Sequence, residues 1–189
     1  MSTTMETIRN GVDTEQLFGT LDAIKGDPSI AKFQFRARNS WIDGAHNRSR
    51  IRDFYAAKQE DTSRAAEFEL DAGEPAILLG HDTGPNPAEY LLHALAACLT
   101  TTLVYVAAAR GVHLTKVEST LEGDMDVHGA LGLSDDYRNG FEQIHVSIHV
   151  EGDASEEKLQ ELVMRAQQRS AVFDMVTHGV PVTVELASA

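Results

Sequence analysis

From Pro87 to Arg110 the sequence reads PAEYLLHALAACLTTTLVYVAAAR, with no glycine and no proline after the first residue. Wound as a helix, this stretch puts apolar side chains on nearly every side: Leu91, Leu92, Leu95, Leu99, Leu103, Val104 and Val106. A helix apolar all round has no face to give to water, so the sequence predicts a central, buried helix with the remaining chain wrapped about it. Its ends are marked. Asn86 is a good N-cap, Pro87 suits the first helical position, and Glu89 stands three residues after Asn86 as in a capping box. Gly111 supplies the stop. The length alone would permit a membrane span, but His93, Thr100, Thr101 and Thr102 interrupt it and much of it is alanine, which contributes little to insertion.

The flanking segments supply the wrapping. Residues 1–31 read as a helical extension, with Val12, Leu17, Leu21 and Ile24 at loosely helical spacing and GDP at 26–28 as a stop. In FQFRARNSWI (33–42) apolar and polar residues alternate, which predicts a half-buried strand. DGAHN (43–47) is a turn, and RSRIRDFY (48–55) is the returning strand of a hairpin. AAEFEL (65–70) and AILLG (76–80) read as short strands. After the helix, residues 113–127 and 140–152 are strands, 155–170 is an amphipathic helix, and VPVTVEL (180–186) is a closing strand. This order predicts an α+β fold, antiparallel sheet around a long central helix, with the domain at 32–189 and the extension at 1–31.

Charge and cysteine usage narrow the function classes. The formal net charge of −13 opposes binding to nucleic acid or to an anionic membrane surface. The single cysteine, Cys98, cannot form an internal disulfide, which fits a reducing compartment. The first eighteen residues lack a basic start followed by an apolar run, so no signal peptide is expected and the chain reads as cytoplasmic. No phosphate loop or dinucleotide fingerprint occurs, so no cofactor is expected. His145 and His149 have a helical ligand spacing but fall in a strand, where four residues span about 13 Å, too far for one metal ion.

Three stretches in this order, FRARNSWIDG (35–44), GHDTGPNPAEYLLHALAACLTTTL (80–103) and SAVFDMVTHGVPVTVEL (170–186), resemble the OsmC/Ohr family of osmotically inducible and organic hydroperoxide resistance proteins. The resemblance covers about residues 33–187. It implies an intertwined homodimer with active sites at the subunit interface, reducing organic hydroperoxides or hydrogen peroxide through cysteine. The family's reactive cysteine lies eleven residues after the proline that opens the central helix, and Pro87 and Cys98 fit. Two positions depart from the pattern. Ala88 follows the proline where peroxidases carry glutamate, with Glu89 one residue later. No second cysteine exists either: RSAVFD (169–174) offers Arg169 and Ser170 where the resolving thiol would stand. An outside thiol would therefore have to reduce the oxidised sulfur.

Without the resemblance, a cysteine in an apolar helix reads as packing, because burial raises its pKa and keeps it an inert thiol. The twelfth residue of a helix is also beyond the reach of that helix's own N-terminal dipole. The resemblance implies a cation from the N-terminal hairpin, which supplies Arg36, Arg38, Arg48, Arg50 and Arg52, Arg48 being the first candidate and Arg38 the second. Each of these is equally readable as a solvent-facing strand charge. Glu89 is either a cap or the residue that orients the arginine. It lies about 13 Å along the helix from Cys98 and on the opposite side, so the two cannot meet within one helix. Two readings stay open: a one-cysteine peroxidase, or a non-catalytic protein of the same fold that binds a small apolar ligand or serves as a stress protein.

Overall fold

A computed structural model describes residues 7–187. In chain order the elements are β1 (Ile8–Arg9), β2 (Val12–Asp13), α1 (Thr14–Gly26), β3 (Arg38–Asp43), β4 (His46–Ile51), β5 (Phe54–Ala56), β6 (Gln59–Asp61) and β7 (Phe68–Ala72). There follow α2 (Pro87–Ala109), β8 (Leu114–Asp124), α3 (Val127–Ala130), β9 (Gln143–Gly152), α4 (Glu156–Arg169) and α5 (Ala171–His178). The chain divides into two compact units, residues 15–91 and residues 7–14 with 92–187. The expected extension and domain also include residues 1–6 and 188–189, which lie outside the described residues.

In the first unit β3, β4 and β7 form an antiparallel sheet in that order. Asp43 faces His46 across the turn, so Gly44 and Ala45 make a two-residue loop, and Gly44 takes φ +52, a conformation costly for a side-chain-bearing residue. The expected strand at 33–42 starts late, at Arg38. Phe33 and Phe35 lie before it, 54% and 69% exposed, and every residue of β3 is exposed rather than half-buried. The expected strand at 76–80 is a 3₁₀ turn instead, over Ala76–Leu78. Pro75 opens it, Leu79 closes it at φ +66, and a Cβ on Gly80 would run into the Glu74 backbone, so the segment folds back rather than extending.

In the second unit β8 and β9 form a long antiparallel ladder from Leu114↔Gly152 to Asp124↔Gln143. The inward residues of β9, among them Ile148 and Val150, pack with Val117 on a core of Leu103, Ala107, Val112, Leu162 and Ala166. The helix α4 contributes Leu159, Leu162, Val163 and Ala166 to it, the apolar stripe visible in the sequence. The expected closing strand at 180–186 is not formed: among the described residues the segment has no ladder partner, with Val184 91% and Leu186 99% exposed. Alternation prepares a strand, but only a neighbour makes one, and Pro181 removes one donor.

The helix α2 has the ends its sequence predicts. Asn86 and Glu89 exchange both capping-box bonds at 2.8 Å. At the other end Gly111 sits at φ +77, donates to the Ala108 carbonyl, and Val112 donates to that of Ala107, which is a Schellman closure. Residues of the β1–β2 turn brace this end. Arg9 donates to the Ala108 carbonyl, while Asn10 donates to Val112 and accepts from the Leu114 amide. Alone in its chain α2 is buried along one stripe, Leu95, Leu99, Leu103, Ala107 and Ala108, and Tyr105 on another side is 49% exposed. By length and mean hydropathy (1.8) α2 could cross a membrane.

Candidate functional site

Cys98 projects from the middle of α2, partly buried, and its sulfur meets a different helix. The chain breaks between α4 and α5 at Ser170, which caps both: it ends α4 with extended backbone (ψ 116), and its hydroxyl accepts from the Phe173 amide as the N-cap of α5. That oxygen lies 3.1 Å from Cys98 Sγ. While one lone pair accepts from the Phe173 amide, the hydroxyl donates its proton to the sulfur. Ser170 is 2% exposed, the only buried polar residue among those described.

Burial pushes the Cys98 thiol up. The hydroxyl of Ser170, the backbone N–H of Val172, the hydroxyl of Thr102 and the N–H of Ala171 act the other way and prevail, so the thiol ends below its ordinary range. The Ser170 hydroxyl is the donor that reaches the sulfur itself, while Thr102 donates to the Cys98 carbonyl one turn back at 2.7 Å, and a thiolate accepts a donated proton better than a thiol does. Two of the four are orphan amides of α5's first turn, where a helix collects partial positive charge. The sequence placed Cys98 too far from the start of its own helix for such help, correctly, and overlooked that another helix could begin beside it. The available signal was Ser170 itself, a capping residue at a break between helical patterns.

Beside these groups lies a cavity of about 280 Å³ lined by Leu99, Ile144, Val146, Ile148, Val163, Gln167 and Phe173. Its walls are apolar except for Gln167. Leu99 is the chain neighbour of Cys98, and Phe173 belongs to the first turn of α5.

The remaining candidates fall in the other unit. Arg48 is held across β4–β7 by Asp71 through two bonds, Nε–Oδ1 at 2.9 Å and Nη2–Oδ2 at 3.0 Å, and reaches Glu69 at 3.4 Å. His46 joins the same carboxylate at 2.9 Å. Arg48 foremost, then His46, lower the Asp71 pKa to about 2. The Tyr90 hydroxyl donates to the Asp71 backbone carbonyl at 2.6 Å, tying β7 to the first turn of α2. Asp71 is the partner of Arg48 that sequence reasoning missed; nothing local distinguishes it from the other acidic residues nearby. Glu89 spends its carboxylate on the Asn86 amide. Arg38 forms no ion pair among the described residues and shares a cleft with Arg36, Arg50 and Arg52, whereas Arg36 is clamped by Glu60 and Arg50 by Glu69. No cluster of three or more metal-ligating side chains occurs among the described residues.

Comparison with known proteins gives the fold a context. Among solved structures, an OsmC-like protein from Mycoplasma pneumoniae superposes with TM-score 0.57 at 15% identity, covering 76% of this chain and 86% of its own. An OsmC-like protein of unknown function from Vibrio cholerae gives TM-score 0.57 at 10% identity, covering 76% and 94%. An organic hydroperoxide resistance protein OsmC from Legionella pneumophila gives 0.50 at 17%, covering 77% and 91%. No curated protein matches the sequence closely enough to count as a relative. At these identities the superpositions establish a shared mixed α/β fold of small antiparallel sheets and helices. The family model for OsmC-like protein matches residues 80–185, more than half of the 189, and includes α2, Cys98 and Ser170. The chain belongs to the OsmC-like family.

Proposed function

We propose that this protein is a one-cysteine thiol peroxidase that reduces organic hydroperoxides or hydrogen peroxide. The observation that carries this reading is the sulfur of Cys98 lying against the N-terminal donors of α5, which hold its pKa below that of an ordinary thiol. In this reading the Cys98 thiolate attacks one peroxide oxygen. An S–O bond forms, the O–O bond breaks, and the leaving alkoxide or hydroxide takes a proton to become alcohol or water. The cysteine is left as a sulfenic acid. An external dithiol attacks that sulfur and water leaves; its second thiol then displaces the mixed disulfide and frees Cys98. Arg48, or Arg38 in its place, supplies positive charge for the leaving oxygen. Glu89 supports the start of α2. The functional domain is 32–189, and the extension at 1–31 braces α2 through Arg9 and Asn10.

The same reading takes the protein as a cytoplasmic homodimer in which α2 becomes central. Its support is the apolar surface one chain leaves uncovered: Trp41 at 74%, and the tail through Val184 and Leu186. A second reading, a non-catalytic protein holding a small apolar ligand, is favoured by the cavity lined by Leu99, Val163 and Phe173 and by the missing second thiol.

Turnover decides between them. Cumene hydroperoxide with a small dithiol should be consumed catalytically by the wild type and not by Cys98→Ala, and a sulfenate-specific probe should label the Cys98 peptide. Absence of both turnover and label at a folded protein would leave the binding reading.

A further inference from the structure

Ser170 is one of two residues, with Arg169, at which the resemblance would place a resolving thiol, and its oxygen lies 3.1 Å from the Cys98 sulfur. Three facts make this more than a helix cap. The side chain is almost fully buried, so its hydroxyl cannot turn to solvent. One of its two lone pairs accepts from the Phe173 amide, and its single proton is directed at the sulfur. The recipient is the sulfur of the chain's single cysteine, 72 residues away in sequence, held there by two packed helices rather than by a local turn.

We infer that Ser170 is a catalytic residue of this site: its hydroxyl donates to Cys98 Sγ and holds it as the thiolate nucleophile, while offering no thiol with which the oxidised sulfur could condense. This rests on the reading of Cys98 as the peroxide-reactive group. The donated bond is stronger to a charged acceptor than to a neutral thiol, so it acts on nucleophile formation as well as on packing. The other groups acting on the sulfur are Thr102 on α2 and the amides of Ala171 and Val172. Arg169 ends α4 and Asp174 lies in the first turn of α5, and neither is among the groups that act on the sulfur. Once the S–O bond has formed, the neighbour at 3.1 Å is an alcohol, and an alcohol does not displace water from a sulfenic acid as a thiol does. Each turnover then passes through the external thiol.

The test begins without peroxide. Iodoacetamide alkylation of Cys98 is followed from pH 5 to 9 in the folded protein. Ser170→Gly keeps a residue tolerated at an N-cap and removes the hydroxyl; Ser170→Ala removes both; Ser170→Thr restores the hydroxyl. Gly and Ala variants should move the profile upward by about one pH unit and slow alkylation at pH 7 about tenfold, as loss of a charge-assisted bond requires, while Thr stays near wild type. A merely structural cap would change unfolding midpoints and leave the profile in place, and that result overturns the inference. Ser170→Cys gives a second measurement. Treated with diamide, the introduced thiol and Cys98 should close a disulfide as diamide is reduced to its hydrazine; two thiols that stay free in the folded protein overturn the placement. If the profile moves as expected but hydroperoxide leaves Cys98 untouched, the peroxidase reading fails and the thiolate assignment stands.

Discussion

At the scale of single residues, Cys98 and Asp71 show how partners set charge. Cys98 is neither surface-exposed nor sealed in apolar packing; the Ser170 hydroxyl and the first amides of α5, with Thr102 on its own helix, outweigh its desolvation. Asp71 is tuned by ordinary ion pairing, with its pKa lowered to about 2 by Arg48 and then by His46. A carboxylate whose folded pKa lies below its unfolded value of about 3.9 stabilises the protein above that value, and the contribution is lost as pH falls toward the folded pKa. Acid should therefore weaken the β3–β4–β7 unit between about pH 4 and 2. Glu161, also lowered to about 2, first by Lys158 and then by Arg165, adds a similar slope in the other unit. Denaturation midpoints compared across that range should show a smaller pH-dependent loss for Asp71→Asn than for wild type. Equal slopes would mean that the Arg48 clamp does not set that carboxylate's charge.

At the scale of elements, the ends of α2 were legible because capping chemistry is local. Asn86, Pro87, Glu89 and Gly111 each act within four residues of the helix terminus they define. Asn86→Ala should cost about 1 kcal/mol in unfolding free energy, and Glu89→Gln less, since the amide oxygen can still accept; urea titration would measure both. If Glu89→Gln abolishes turnover while leaving stability intact, its role is chemical and not a cap. What the sequence hid was the second brace on this helix. The loop at Asn10 meets Val112 and Leu114 about a hundred residues away, and no periodicity carries that information. Asn10→Ala strands a carbonyl and an amide and should lose about 1–3 kcal/mol, readable in the same titration. A change below a few tenths would show that water replaces the asparagine.

At the scale of the whole molecule, apart from the local 3₁₀ turn at Ala76–Leu78, the elements that sequence reading mistook are those whose state depends on a neighbour. The tail at 180–186 alternates as a strand should and has no ladder partner among the described residues. The alternation of Phe33, Phe35 and Ala37 predicts a half-buried strand, yet β3 begins only at Arg38 and all its residues are exposed. The helix α2, apolar all round by sequence, is covered on one stripe. By contrast α4 and β9 were read correctly because both sides of their packing lie in one unit. The site was half legible: the position of Cys98 and the break at Ser170 were visible in sequence, while their contact across 72 residues was not. We expect the uncovered surfaces to meet in a homodimer. Sedimentation equilibrium at micromolar concentration should return twice the monomer mass of 20.6 kDa; a single monomer mass would remove the dimer and any site shared across it. The central claim, a reactive thiolate with nothing in its own chain to resolve it, is tested most directly by the mass of the Cys98 peptide after the folded protein meets millimolar organic hydroperoxide without reductant. The account predicts a gain of two or three oxygens on that peptide, the sulfinic and sulfonic acids reached when no thiol intercepts the sulfenic acid. A Cys98 that stays an unmodified thiol under those conditions, and alkylates only on unfolding, would contradict it.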